Sequence, residues 1–334
     1  MLKKNRIHLP GLQLKVNWVI KNEFENLEKL LIKNNFQVSG SKIAFASRVY
    51  LPDRYCLNKS FYHLFKNKVF FDYFHGDPRT SDVFLEIFKT VLLNKKKFNK
   101  IRVTHNEIMN LFLENKVEQD KLQKIYLPID IENFFKVENE KKNLFKKVHK
   151  IPDSAFIIGS FQKDSNGWTN SKEPKLVKGP DIFIDTIKIL KEKIKELFVI
   201  LAGPQRGYIK EHLNKNNINF LHFEIDNKKD LNYLFNCLDV YLITSRQEGG
   251  PKTFLESLAC QIPVVTTNVG QIKDLGINNV NSKISYTFEP EDLSQKVLSI
   301  YNNENNEKLK KFGLDTAKKN SYDELFNSWK DFFI

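Results

Sequence analysis

The stretch DVYLITSRQEGGPKTFLESLACQIPVVTTNVG, residues 239–270, decides the fold. DVYLITS, 239–245, is a short apolar run of the kind that forms a buried strand. Glu248, Gly249, Gly250 and Pro251 make a turn, and a helix starts from about Thr253 and runs to Ala259. IPVVTTNVG, 262–270, reads as a second strand and its exit loop. Strand, turn, helix and strand at this spacing form one unit of parallel α/β structure. Open sheets of this kind hold ligands beyond the carboxyl ends of their strands, and Ser245 to Glu256 leaves the sheet at that end. The glycines let the backbone come close to a ligand. The unpaired amides that open the helix favour phosphate. Glu256, about one turn in, suits a pair of hydroxyls such as a ribose diol. The spacing alone also describes an ordinary β–loop–α unit with surface carboxylates.

Working outward, the same alternation continues on both sides. FIIGSF (156–161) and LFVILAGP (197–204) are strands, residues 218–223 a weaker one, and helical patterns fall at 181–190, 208–215 and 229–237. The result is a doubly wound, Rossmann-like domain. The first half reads as α/β as well. Strands are expected at KIAFAS (42–47), KVFFDYF (68–74) and KIRVTH (100–105), and helices over Glu23–Asn34 and Asp82–Leu93, the latter capped by Asp82. The change of domain is placed near residues 132–152. The chain thus divides into a first domain over 1–140, a second over 150–312, and an aromatic helix within 313–334 that packs back toward the first.

The 334 residues suffice for two ordinary domains, and 41% of them are apolar. The net charge of +13 is one-sided. Residues 1–150 hold 29 Lys and Arg against 16 Asp and Glu, whereas residues 151–334 hold 24 against 24. Such asymmetry points to an anionic partner, namely nucleic acid, lipid or glycan, or to a solvated Lys-rich surface. The three cysteines have no metal-type spacing, which fits a reducing compartment. The basic start MLKKNR is not followed by an apolar stretch, and no run approaches a membrane span. No nucleic-acid-binding signature accompanies the charge, so nucleic acid is not an expected partner. The 82–93 helix runs into Lys95, Lys96 and Lys97, a layout that suits contact with an anionic membrane surface.

The spacing Glu248-x7-Glu256, followed by SLACQIPVVTTNVGQIKDL, resembles the motif of family 4 retaining glycosyltransferases of the GT-B fold. That resemblance implies two Rossmann-like domains facing across a cleft. It places Glu248 beside a donor sugar and Glu256 on the nucleotide ribose, with the backbone of Gly249, Gly250, Pro251, Lys252 and Thr253 on sugar hydroxyls and diphosphate. The segment 157–187 resembles the family's G-R…K-G pattern, whose Arg and Lys clamp the diphosphate. Lys178 matches the Lys, but Ser160 stands where the Arg is expected, and Lys163 is the residue expected to reach the same space. LAGPQRGY, 201–208, resembles the family's strand and glycine loop, with Gly203 approaching the donor and Arg206 as a further candidate. In DYFHGDP, 72–78, His75 ends an apolar strand and matches a histidine that touches the donor sugar in related enzymes. The family's amino-terminal Gly-rich loop has no counterpart beyond Gly11, so the first domain is expected to be reduced.

The implied site has His75, Lys178 and Glu248 as catalytic residues. Ser160, Lys163, Lys178, Gly203, Gly249, Gly250, Pro251, Lys252, Thr253 and Glu256 hold the nucleotide sugar. No D-x-D metal site or glycosidase-type carboxylate pair is evident, so no metal or other cofactor is expected. The implied activity moves a sugar from a nucleoside-diphosphate sugar to a hydroxyl of a glycan or lipid-linked acceptor, in bacterial envelope polysaccharide or lipopolysaccharide synthesis. The implied location is the cytoplasm, peripheral on the inner face of the membrane. A nucleotide-sugar epimerase of the same fold, or a non-catalytic donor-binding module, is the alternative.

Overall fold

A computed structural model describes residues 6–9, 18–39, 48–51, 68–74, 76–166, 171–204, 206–225 and 227–334. The strand expected at 42–47, Gly11, His75 and Trp168 lie outside the described residues. The chain divides into two compact units, one of residues 1–128 and 321–334, the other of Ile129–Asn320.

The first unit is built on β1 (Arg6–His8), β2 (Gln37–Ser39), β3 (Arg48–Leu51), β4 (Lys68–Tyr73), β5 (Lys100–Val103) and β6 (Leu122–Lys124). All pair in parallel, in the order β2-β1-β3-β4-β5-β6. Alternate residues on each strand face opposite ways. Val49, Leu51, Val69, Phe71 and Tyr73 meet the buried sides of α2 (Asp82–Leu93) and α3 (Asn106–Glu114) through Phe88, Val91, Ile108 and Phe112. Tyr50 and Phe70 face the other way, toward Leu27, Leu30 and Leu31 of α1 (Trp18–Lys33). The expected reduction of this unit is not found in its sheet, which has as many described strands as the second. β1 and β2 are three residues long, too short to print an apolar period in the sequence. Ser81 rather than Asp82 occupies the cap position of α2, and Asp82 lies in its first turn.

The second unit carries β7 (Phe156–Ser160), β8 (Leu197–Ala202), β9 (Asn219–Phe223), β10 (Val240–Ile243), β11 (Val264–Thr267) and β12 (Lys283–Ser285). Their order is β12-β11-β10-β7-β8-β9, all parallel. The winding therefore reverses between β7 and β10, the point at which doubly wound sheets bind ligands. Its helices are α4 (Asn139–Val148), α5 (Pro180–Lys193), α6 (Gly207–Lys215), α7 (Lys228–Asn236), α8 (Lys252–Ala259), α9 (Ile272–Leu275), α10 (Pro290–Tyr301) and α11 (Asn306–Lys319). Ile157, Tyr241 and Ile243 pack with α7 and α8 on one face; Ile158, Val240 and Leu242 pack with α5 and α10 on the other.

The first unit closes at Pro128, ahead of the 132–152 stretch. Ile129 and Phe134 are buried in the core of the second unit, and Phe134 packs against Phe235. Leu309 and Ala317 of α11 are buried there too. Of the expected carboxyl-terminal element, Ser321–Ile334 belongs to the first unit and carries α12 (Phe326–Phe333). Trp329, Phe332 and Phe333 cover Tyr50 and Phe70. Beneath Trp329, at 4.7 Å from the ring centroid, lies the buried guanidinium of Arg102. It donates to Asp72 at 2.8 Å, and Tyr50 donates to the same carboxylate oxygen at 2.6 Å. That pairing is why KIRVTH can carry an arginine inside a strand.

Candidate functional site

The site is described within the second unit. β10 delivers Thr244 and Ser245 to its carboxyl end, next to the end of β7. Gly179 lies against this point from the loop before α5, at φ +62°. A Cβ there would sit 1.9 Å from the Thr244 carbonyl oxygen, so the position admits only glycine. Thr244 returns a hydrogen bond from its hydroxyl to the Gly179 carbonyl at 2.8 Å. The Arg246 and Gln247 amides both donate to the Val177 carbonyl, at 3.0 and 3.2 Å. Arg246 clamps Asp181 in a two-pronged pair at 2.8 and 2.6 Å. These contacts bind the Lys178-Gly179-Pro180 turn to the Ser245–Glu256 segment.

Lys178 then reaches Glu248, Nζ to Oε2, at 2.5 Å. The other carboxylate oxygen accepts from the Ser245 hydroxyl at 2.8 Å and from the Gln162 amide at 3.1 Å. Gln162 also donates to the Ser245 hydroxyl at 2.9 Å. The opposite side of the segment rests on Gly270, at φ +52°. There a Cβ would lie 2.7 Å from the Glu248 carbonyl oxygen and 2.8 Å from that of Gly249.

Pro251 caps α8, and Glu256 lies within that helix, 8% exposed. The Thr253 hydroxyl is bonded to the Tyr241 phenol, which burial drives well above its ordinary pKa. Lys252 is close enough to Asp130 to act on its carboxyl. Burial works against the Asp130 charge, but the Lys228 hydrogen bond at 2.7 Å, with the charges of Lys228 and Lys252, pulls its pKa below the ordinary value.

The Ser160 side of the site is organised by an arginine from the loop between β8 and α6. Arg206, just after β8, is fully buried. It donates to the Ser160 carbonyl at 2.7 Å, to the Ser160 hydroxyl at 3.1 Å, to the Ala202 carbonyl at 3.1 Å and to Asp164 at 3.1 Å. Burial pushes the Asp164 carboxyl up and the Arg206 guanidinium down, and their mutual attraction opposes both shifts. The guanidinium beside Ser160 is therefore supplied by Arg206. Lys163 is half-buried, and burial lowers its pKa. Gly203 has φ +89°, and nothing lies within 4 Å of where its Cβ would point. Its glycine is required by backbone conformation alone and leaves open space above the loop.

Of the expected residues, the structure gathers Lys178, Glu248, Gly249 and Gly250 with α8, and links Ser160 to Gly203's strand through Arg206. His75 lies outside the described residues. Sequence reasoning missed Gln162 and the Ser245 hydroxyl, and gave Arg206 only as a candidate. Among the described residues no cluster of three His, Cys, Asp or Glu could hold a metal ion. No described helix is long and apolar enough to cross a membrane.

Residues 161–319 match the family model of glycosyl transferases group 1. That region contains every site contact described above except those of Ser160 and Asp130. Over 154 residues the chain is 31% identical to an uncharacterized glycosyltransferase, MJ1178, of Methanocaldococcus jannaschii, covering 44% of this chain and 42% of the relative. It is 31% identical over 137 residues to the O-antigen biosynthesis glycosyltransferase WclY of Escherichia coli, covering 40% of this chain and 34% of that one. The matches thus span less than half the length of these relatives. Anabaena Alr3699/HepE, solved with UDP and glucose, superposes with a TM-score of 0.74 at 15% identity, over 98% of both chains. At that identity the likeness concerns the fold, which is GT-B: α/β, with a six-stranded parallel sheet in each unit.

Proposed function

We propose that the chain is a retaining glycosyltransferase that takes a sugar from a nucleoside-diphosphate donor. The observation that carries this reading is the pairing of Lys178 with Glu248 at the point where the second sheet reverses. A cation for a leaving diphosphate and a carboxylate for sugar hydroxyls stand side by side there, ahead of the amino end of α8, and the open backbone of Gly203 follows β8, on the other side of β7. Charge developing on the diphosphate is offset by Lys178 and the amides of Gly249, Gly250, Lys252 and Thr253, a preorganised arrangement that needs no reorganisation during reaction. Glu256 takes the ribose hydroxyls. With that charge met by the chain's own donors, transfer proceeds without a metal and survives chelation by EDTA.

UDP and UDP-glucose bind the fold neighbour HepE, which makes uridine donors the first to try. The O-antigen relative WclY supports an envelope glycan as acceptor; a lipid-linked saccharide as that acceptor, and work at the cytoplasmic face of a membrane, belong to the same proposal. Leu93, 87% exposed, stands beside the Lys95–Lys97 turn and is the contact we assign to an anionic surface. The test is a thermal-shift screen with UDP-, GDP- and ADP-sugars, since a matched donor stabilises the fold by linkage, followed by a transfer assay with the donor that binds. Glu256→Ala is expected to weaken nucleotide binding, and Glu248→Ala to reduce turnover with nucleotide binding retained. A wild-type chain that none of these nucleotides stabilises refutes the reading.

A further inference from the structure

We propose that Gln162 is a positioning residue that fixes which oxygen of Glu248 is offered to a donor sugar. This rests on the glycosyltransferase reading and deepens it. Gln162 lies two residues beyond β7, on the opposite side of the winding reversal from Glu248. Its amide nitrogen donates to the Ser245 hydroxyl at 2.9 Å and to Glu248 Oε1 at 3.1 Å. The orientation of the amide follows from chemistry, because an ionised carboxylate only accepts. Ser245, fully buried, donates its own proton to the same Oε1 at 2.8 Å. Gln162, Ser245 and Glu248 thus form a closed ring of three hydrogen bonds.

A carboxylate oxygen has room for about two strong donors. Oε1 has both, from Ser245 and Gln162. Oε2 has one, from Lys178 at 2.5 Å. The remaining acceptor position of Glu248 is therefore on Oε2, beside the lysine. A sugar hydroxyl recognised by Glu248 must come to that oxygen, next to the cation that faces the diphosphate. Without the Gln162 arm, Oε1 has a vacant acceptor position and the carboxylate can turn about its last bond. The sugar then loses its fixed partner, while the nucleotide, held elsewhere, does not.

The test compares wild type, Gln162→Met and Gln162→Glu. The probes are UDP-glucose against UDP and GDP-mannose against GDP, using the pair that stabilises the wild type. Methionine keeps the length and removes both donors. Its kcat/KM for the nucleotide sugar should fall about tenfold or more, the usual cost of a hydrogen bond to a charged group, with affinity for the bare diphosphate held within about twofold. Glutamate supplies the reading a merely structural role would not move. A second carboxyl against Oε1 raises the pKa of one of the pair. While protonated it donates to Oε1 as the amide does, and once ionised it repels Glu248. Transfer by Gln162→Glu should therefore be near wild type in mild acid and decline as pH rises, a limb the wild type lacks.

Equal losses of sugar and bare diphosphate in Gln162→Met, or no loss at all, overturn the proposal. So does a Gln162→Glu pH profile that matches the wild type. If Gln162→Met does not fold, the glutamate profile decides alone. If neither nucleotide pair binds the wild type, the transferase reading falls, and this inference falls with it.

Discussion

Replacing Arg206 by methionine tests the internal frame of the site most sharply. The guanidinium is fully buried and donates to Asp164, Ser160 and Ala202, so it joins the ends of β7 and β8. Methionine fills much of the same space without donors. Asp164 is then left 2% exposed, with the Ile209 amide at 3.3 Å and Ser165 as its remaining partners. The Ser160 and Ala202 carbonyls lose their arginine donor. Removing one member of a buried ion pair costs about 3–5 kcal/mol, a large share of the roughly 5–15 kcal/mol that holds a domain folded. For a unit of this size the melting temperature should fall by about 6–20 °C. Calorimetry should assign the loss to one transition, because a two-unit chain need not unfold in a single step.

The pH dependence carries a definite sign. Burial already holds the Asp164 carboxyl above its ordinary value of 3.8, and Arg206 opposes that rise. Without the arginine the native pKa climbs further. Between 3.8 and that native value the folded state keeps a proton that the unfolded state has released, so stability falls as pH rises through this window. The deficit of Arg206→Met should therefore be smaller at about pH 4.5 than at about pH 8. Adding Asp164→Leu removes the stranded charge and should recover much of the loss at neutral pH. A single variant that loses less than about 1 kcal/mol, well short of the usual cost, refutes the argument, as does a double variant no better than the single.

Three further predictions concern the rest of the molecule. Gly179→Ala combines a left-handed backbone with a Cβ 1.9 Å from a carbonyl oxygen; it should destabilise by about 2–6 kcal/mol in denaturant titration, and loss of under about 1 kcal/mol would mean the turn relaxes freely. Trp329→Ala strips the ring over Arg102 and opens the first unit's core, at a cost of about 3–5 kcal/mol; calorimetry should show it without lowering nucleotide affinity. Lys96→Glu with Lys97→Glu should cut affinity for phosphatidylserine vesicles, read by sedimentation, by about thirtyfold or more, and should leave weak binding to neutral vesicles unchanged; equal binding to the two vesicle types by the wild type would remove the membrane assignment.

The part of the fold that was legible is the part whose signal is local. VYLI and FVILA are buried on both faces of a parallel sheet and read as continuous apolar runs. The Glu248–Glu256 spacing lies along one turn and one helix, so nine residues contain it. β1, β2 and β3 are three or four residues each, and their identity comes from pairing with partners far along the chain. Gln162 and Arg206 are illegible for a related reason. Arg206 looks like an exposed loop cation until the fold places it 46 residues back against Ser160. Gln162 gains its role only from Glu248, 86 residues on. A sequence shows which side chains can donate, but the acceptors are set by the topology that brings β7 beside β10.

The glycines of the site separate its frame from its chemistry. At Gly179 and Gly270 the missing Cβ is required twice over, by positive φ and by a carbonyl oxygen of the Thr244–Gly249 strand end and turn. Both hold that turn through backbone, so its path does not depend on the side chains it displays. At Gly203 only the φ is demanding, and the space above is open. A substitution at either of the first two should therefore cost stability and ligand binding together. A substitution at Gly203 by a residue that tolerates the left-handed region, such as Gly203→Asn, should keep most of the stability and lose ligand binding if that space belongs to the donor. Side chains such as Gln162, Lys178 and Glu248 can then vary the chemistry on a turn whose shape is fixed from behind.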